Sequence, residues 1–153
     1  MTGPTALRVL IREVLTKSEM SVEAGAGFVV FRKFPDGLKV LVMLLNLQAD
    51  LPKGCIDISD RDILSAAQRE LREETGLINV SMPWGHEGLA AGSLYAFMGM
   101  TDEDPVIAQN PVTGVKEHDS FLWVSAAGAS DLFDGDMELI VRQAVAKANT
   151  YIR

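Results

Sequence analysis

The sequence predicts an α/β or α+β fold, in which one sheet lies between helices. Its 153 residues suit a single domain, residues 1–153, with a substantial core. Two apolar, β-branched runs flank a strong turn signal and predict a β-hairpin. Two later segments are rich in helix-forming residues, and strands interrupted by helices in this way are typical of the class.

The first predicted element is a helix over residues 5–16, within an N-terminal extension of residues 1–19. Leu7, Leu10 and Val14 recur at helical spacing, although the β-branched residues leave a strand interpretation open. The sequence leaves two roles open for this segment, a cap on the sheet or a contact in a homodimer. The segment lacks the uninterrupted apolar stretch of a signal peptide.

The hairpin is predicted from the runs at 24–34 and 38–46, which lie on either side of the turn sequence PDG. The polar segment 48–60 predicts a loop, and a second, longer loop is predicted at 101–119. Three further strands are predicted, at 78–82, 92–100 and 121–125.

A helix is predicted over residues 62–75, within RDILSAAQRELREETGL, because this stretch is rich in good helix formers. Asp60 or Asp62 is available to cap its N-terminus, and Gly76 is available to end it in the left-handed conformation. The closing stretch GDMELIVRQAVAKANTYI predicts an amphipathic helix.

Charge and composition exclude several classes of protein. Lys and Arg number 14 against 21 Asp and Glu, and this net charge of −7 argues against holding a long nucleic acid by its phosphates. No apolar run approaches the roughly 20 residues needed to span a bilayer. The single cysteine, Cys55, excludes an internal disulfide, so we expect a cytoplasmic protein with no membrane partner.

The helix at 62–75 carries an acidic face. At about 100° per residue, Glu70, Glu73 and Glu74 fall within a sector of roughly 100°. Arg69 lies four residues before Glu73 and is placed to hold that carboxylate. Converging carboxylates repel one another unless a cation lies between them, and Mg²⁺ or Mn²⁺ suits such oxygen ligands. A solvated helix face is the ordinary alternative, but the preceding turn PKG favours a metal and phosphate site.

Residues 54–77 resemble the Nudix box, G-x5-E-x7-R-E-U-x-E-E-x-G-U, in which U is an aliphatic residue. All seven fixed positions of its second half match, from residue 69 to residue 77. The first half departs from the pattern, because Gly54 lies one residue too far upstream and Arg61 occupies the position of the first glutamate. A one-residue insertion in the loop accounts for both departures and lets Asp60 stand in for that glutamate.

The resemblance implies the Nudix fold, an α/β/α sandwich with a mixed central sheet. It also implies metal-dependent hydrolysis of a nucleoside diphosphate linked to another group, with Mg²⁺ or Mn²⁺ as cofactor. By position in the box, Glu70, Glu74 and the Gly54 carbonyl would bind the metal. Glu73 would share that role or be held by Arg69.

The general base is left open by the resemblance, between a glutamate of the box and Glu117 in VKEHDSFLW. The LPKG turn, Tyr95 and the pattern of Glu117, His118 and Trp123 are similar to diadenosine polyphosphate hydrolases of the family. That likeness implies that Lys53 contacts phosphate and that Tyr95 stacks on adenine. The ordinary alternatives are a polar loop for Glu117 and a core position for Tyr95.

Other functions compete with this interpretation. The loop is also similar to that of enzymes that hydrolyse diphosphoinositol polyphosphates, nucleotide sugars or RNA 5′ ends, and a nucleotide-binding module without catalysis is a further alternative. The acidic balance disfavours inositol polyphosphates and RNA, because both require a basic groove. The intact second half of the box opposes a non-catalytic module. We therefore expect a small nucleotide as the partner.

Overall fold

The computed structural model describes residues 24–107, 109 and 113–151. The helix predicted at 5–16 and the roles suggested for the N-terminal extension lie outside these residues. Within them, neither α-helix is both long and apolar enough to cross a bilayer. The elements in chain order are β1 (Gly25–Phe34), β2 (Gly37–Leu45), β3 (Gln48–Asp50), β4 (Lys53–Cys55), α1 (Ile63–Thr75), β5 (Leu89–Ala91), β6 (Leu94–Met100), β7 (Ser120–Ser125), the 3₁₀ helix η1 (Ala129–Leu132) and α2 (Gly135–Tyr151).

The strands form one mixed sheet in the order β3-β2-β1-β6-β5, with β7 also paired to β2 and β4 also paired to β1. Only β1 and β6 run parallel among the described strand pairs. The sheet divides between its first two strands, because β1 pairs with β2 through residues 31–34 and with β4 through residues 25–27. This division places β4 beside α1, where the Nudix-like motif lies.

The helices cover both faces of the sheet and make the predicted α/β/α sandwich. Alternation along β1 divides its side chains between two cores: Phe28 and Val30 pack on the α1 side, whereas Val29 and Phe31 pack on the α2 side. Such central strands are buried on both faces, which explains why β1 reads as a continuous apolar run. The predicted fold class is confirmed.

The two ends of α1 follow the predicted capping chemistry. Asp62 is the N-cap, and its Oδ1 accepts a hydrogen bond from the Ser65 backbone N–H at 2.7 Å. Gly76 ends the helix with φ of 70°, and its N–H donates to the Arg72 carbonyl at 2.9 Å. These local interactions fix the start of the helix and therefore the direction in which its acidic face points.

Two predictions about strands are wrong. The segment 48–60, predicted as a loop, contains β3 and β4, whose three residues each are stabilised by pairing with β2 and β1. The strand predicted at 78–82 is reduced to a single bridge between Ser81 and Met100. The reason is that β5 already pairs with the start of β6, at Leu94–Ala96, and leaves only the end of that strand free.

The turn between β2 and β3 is strained. Its two central residues, Asn46 and Leu47, have φ of 51° and 67°, the sign that a type I′ turn requires. Asparagine tolerates this region, but a leucine there brings Cβ too close to the backbone. The Leu47 side chain is also 90% exposed, so no packing offsets the strain.

Replacing Leu47 by glycine should stabilise the protein. Relief of the left-handed strain, roughly 1 to 2 kcal/mol, exceeds the entropic cost of glycine, so the expected gain is about 0.5 to 1 kcal/mol in the free energy of unfolding. Urea titration would measure it, with Asn46→Gly as the matched control expected to change stability less. A lower stability of Leu47→Gly than of the parent would contradict the strain.

Candidate active site

The acidic face of α1 is pressed against β4. Glu70 and Glu74 are 9% and 7% exposed, although both carry ionisable groups. The Lys53 backbone N–H donates to Glu74 Oε1 at 3.2 Å. A Cβ atom at Gly54 would lie 2.2 Å from the Glu70 carboxylate, so glycine leaves the space that this carboxylate occupies against β4.

Arg69 connects this helix to the loop before it. Its Nε and Nη2 donate to the two carboxylate oxygens of Asp60, both at 2.9 Å, which is the planar two-bond geometry that favours arginine over lysine. Nη2 also donates to the Cys55 carbonyl at 3.1 Å. On its other side, Nη1 donates to Glu70 at 2.8 Å and to Glu73 at 3.3 Å.

The lengthened loop is therefore accommodated by Asp60. Its Oδ2 additionally accepts the Asp57 backbone N–H at 2.8 Å, which folds the loop back toward the helix. Arg61, which occupies the position of the expected glutamate, is 88% exposed and pairs only with the neighbouring Asp62 among the ion pairs of the described chain. Asp60, as predicted, makes the contact with the helix that Arg61 does not.

Burial dominates the electrostatics of the glutamate pair. It raises the pKa of Glu70, against the opposing effect of hydrogen bonds and the charge of Arg69. Burial, the charge of Glu117 and the interaction with Glu70 together raise the pKa of Glu74 to about 10. In the absence of a cation, burial therefore favours the protonated form of this pair.

The residues fit a hard divalent ion. Glu74 Oε2 is buried with no hydrogen-bond partner among the described residues, an energetically costly arrangement that a cation would relieve. Carboxylate oxygens are also the ligands that Mg²⁺ and Mn²⁺ prefer. In the described part of the chain, no three Asp, Glu, His or Cys side chains are already arranged as a metal site.

A polar pair that the sequence did not predict lies next to these glutamates. His118 is 3% exposed, with Nε2 2.8 Å from Asp50 Oδ2 and Nδ1 3.6 Å from Glu74 Oε1. Burial opposes ionisation of Asp50, but the hydrogen bond with His118 and the charge of Lys53 outweigh it and lower the pKa of Asp50. Asp50 lay in the segment predicted as a loop, so no sequence signal identified it.

The other three predicted site residues, Lys53, Glu117 and Tyr95, differ in exposure and in distance from the glutamates. The Lys53 Nζ atom lies 3.4 Å from Asp50, on the edge of the site. Glu117 is exposed, and its charge acts on Glu74. Tyr95 is 4% exposed and packs edge-on against Phe97, with centroids 5.7 Å apart. Its ring is a core ring, and this burial does not support the predicted stacking on a base.

The family model of the NUDIX domain matches residues 25–138, which include the whole of this site. The chain belongs to the Nudix domain family. No curated protein matches the chain in sequence. The resemblance drawn from the motif is confirmed at the level of the family, and with it the prediction of an enzyme of the pyrophosphohydrolase type.

Solved structures share this Nudix fold at low identity. An Ap4A hydrolase of C. elegans, in a binary complex, has a TM-score of 0.66 and 19% identity, over 83% of this chain and 99% of that one. The Nudix hydrolase RenU of M. smegmatis has a TM-score of 0.62 and 16% identity, over 84% and 88%. The NUDIX domain of Shewanella oneidensis NrtR, complexed with ADP ribose, has a TM-score of 0.53 and 18% identity, over 83% and 86%.

Loss of the Asp60 carboxylate should destabilise the protein in a pH-dependent way. Hydrogen bonds from Arg69 hold the pKa of Asp60 below its ordinary value. The ion pair therefore contributes stability above the pKa of an unfolded aspartate, about 4, and that contribution disappears as the pH falls through the lower folded-state pKa. Asp60→Asn should cost about 1 to 3 kcal/mol at neutral pH. In urea titrations, a difference from the parent that persists undiminished well below pH 4 would contradict the ion pair.

Adding one methyl group at Gly54 should disable the site. The new Cβ would displace the Glu70 carboxylate, and a misplacement of about 1 Å at a reacting centre costs roughly 10²-fold in rate. Gly25→Ala is the matched control, because a Cβ there meets only ordinary contacts at 3.6 and 3.7 Å. Metal-dependent pyrophosphate hydrolysis would be measured for both variants. Equal rates for Gly54→Ala and Gly25→Ala would exclude the close approach as a functional feature.

Proposed function

We propose that this protein is a metal-dependent pyrophosphohydrolase that cleaves a dinucleoside polyphosphate. The observation that carries the proposal is the buried pair of Glu70 and Glu74, in which the Glu70 carboxylate lies against Gly54 and Glu74 Oε2 has no hydrogen-bond partner among the described residues. A solvated surface helix has no reason to bury two glutamates in this way, because burial of an unpaired charge is costly.

The chain's own residues have distinct parts in this reaction. Glu70 and Glu74 would hold the metal, with Glu73 and the Gly54 carbonyl as further ligands. Bound Mg²⁺ or Mn²⁺ would offset the phosphate charge and lower the pKa of the attacking water.

Arg69 keeps the carboxylates in fixed rotamers through its bonds to Asp60 and the Cys55 carbonyl. Lys53 supplies a cation at the edge of the site, where a phosphate would arrive. Its present partner is Asp50, at 3.4 Å, which a phosphate would replace.

Glu117 is the proposed general base. It lies outside the box, it is exposed to solvent, and its charge raises the pKa of the buried Glu74. A base must reach the water and must not be held by another group. Arg69 holds Glu70 and Glu73, which makes these two box glutamates less suited to the role.

The choice of substrate class rests on three observations. The fold matches that of the C. elegans Ap4A hydrolase over 99% of that chain, although at 19% identity. The turn LPKG, with Lys53 beside the glutamates, supplies a single phosphate contact and not a basic groove. Together with the net charge of −7, this favours a small nucleotide over RNA or a highly charged inositol phosphate.

A second candidate function is nucleotide binding without hydrolysis. The observation that favours it is the pairing of Glu70 and Glu73 with Arg69, which engages carboxylate oxygens that a metal would need. The NrtR NUDIX domain, which is complexed with ADP ribose, has the same fold at 18% identity. On this alternative the carboxylates would be structural partners of Arg69.

A substrate panel separates the two functions. Diadenosine polyphosphates, ADP-ribose, NADH, nucleoside triphosphates, a diphosphoinositol polyphosphate and capped or triphosphorylated RNA would each be incubated with Mg²⁺ or Mn²⁺. We expect the highest kcat/KM for a diadenosine polyphosphate, no turnover in excess EDTA, and a loss of roughly 10²-fold or more in Glu70→Gln.

Two outcomes would contradict the proposal. Robust hydrolysis in EDTA would exclude the metal-dependent mechanism. If no compound were cleaved while one of them raised the melting temperature, the binding function would be the correct one. A nucleotide at a hundredfold excess over its Kd adds about 2.7 kcal/mol to the stability of the folded state, which is readily detected.

A further inference from the structure

His118 connects three segments that are distant in the chain. It lies in the loop before β7, and its ring is buried between Asp50 at the end of β3 and Glu74 on α1. A carboxylate accepts hydrogen bonds and does not donate them, so Nε2 donates its proton to Asp50 Oδ2 at 2.8 Å. The opposite ring nitrogen, Nδ1, then faces Glu74 at 3.6 Å.

The residue after His118 is anchored as well. The Asp119 backbone N–H donates to the Leu44 carbonyl at 2.9 Å, and the Asp119 carboxylate accepts the Asn46 backbone N–H at 3.1 Å. The chain is thus held at two successive positions, at His118 by Asp50 and at Asp119 by the end of β2 and the turn that follows it. Glu117, directly before this anchored pair, is the exposed residue whose charge acts on Glu74.

We propose that Asp50 and His118 form a positioning pair, which holds Glu117 opposite Glu74 in the active site. The inference rests on the proposed function, because it assigns the pair a part in that reaction. Neither residue touches the reacting atoms. Asp50 orients the imidazole, the imidazole fixes the loop, and the loop presents Glu117.

The alternative is that His118 only fills the core. A ring that only filled the core would not require a hydrogen-bonded carboxylate on one nitrogen and a second carboxylate near the other. The two roles differ in a measurable way. A core residue affects stability and leaves Glu117 to act independently, whereas a positioning residue loses its catalytic effect once Glu117 itself is removed.

The test is a double-mutant cycle between His118→Phe and Glu117→Gln. Each single change should lower kcat by roughly 10- to 100-fold and change KM by less than about threefold, because positioning and base catalysis act on the chemical step. The double variant should be no more than about threefold slower than Glu117→Gln alone. If the two losses multiply, if Glu117→Gln keeps full kcat, or if His118→Phe keeps full kcat, the positioning pair is excluded.

Two further variants keep the test decisive if His118→Phe folds poorly. Asp50→Leu removes the acceptor and keeps the branched shape of the side chain, whereas Asp50→Asn retains an oxygen that can accept from Nε2. We expect the kcat of Asp50→Asn to be at least about tenfold higher than that of Asp50→Leu. The matched control is Thr101→Val, which breaks two partly buried hydrogen bonds away from the site, from Thr101 Oγ1 to the Asn79 carbonyl at 2.9 Å and from the Glu103 backbone N–H to Thr101 Oγ1 at 3.1 Å. It should lower stability and leave kcat unchanged; a loss of kcat equal to that of Asp50→Leu would overturn the proposal.

Hydrogen exchange distinguishes failure of this inference from failure of the proposed function. In His118→Phe and Asp50→Leu, amide exchange over residues 113–119 should accelerate by at least about tenfold, and in Thr101→Val it should not. If the parent protein cleaves no pyrophosphate, the proposed function fails, and unchanged exchange in both variants would then also exclude the anchoring of the loop. If the parent is active and exchange is unchanged, only the positioning pair fails.

Discussion

The site depends on the hydrogen bonds that the guanidinium group of Arg69 donates. It donates to the Asp60 carboxylate, to the Cys55 carbonyl and to two glutamates of its own helix, so that one planar group joins the loop, the end of β4 and α1. Its positive charge also offsets part of the cost of burying Glu70. A lysine would supply a charge but could not make these bonds simultaneously.

Close approach is the second physical constraint. Burial raises the pKa of both Glu70 and Glu74, and the Glu70 carboxylate occupies space that a side chain at Gly54 would fill. The sheet permits this approach because it divides between β1 and β2, which leaves β4 free to run beside the helix. The strain at Leu47 accompanies the same division, since the tight turn there starts β3.

Most of the fold was predictable from local patterns. The hairpin of β1 and β2, the capped helix α1 and the helix α2 are long or have clear end signals, and all appear where the sequence predicts them. The short strands β3, β4 and β5 were missed, because three residues carry little pattern of their own and their pairing partners come from elsewhere in the chain. The segment 78–82 has the residue pattern of a strand, but β5 already occupies most of the β6 edge with which it could pair.

The sequence by itself determined the acidic face of α1, its arginine, the glycine before it and the aspartate that replaces a glutamate, because a motif at fixed helical and loop spacing requires no knowledge of the rest of the chain. Only the tertiary structure decided that Asp50 and His118 meet beside Glu74, and that Tyr95 lies in the core. Asp50 and His118 are 68 positions apart in the chain, and no motif with a fixed spacing links them. Their contact arises from the sheet register, which brings β3 and β7 to the same stretch of β2.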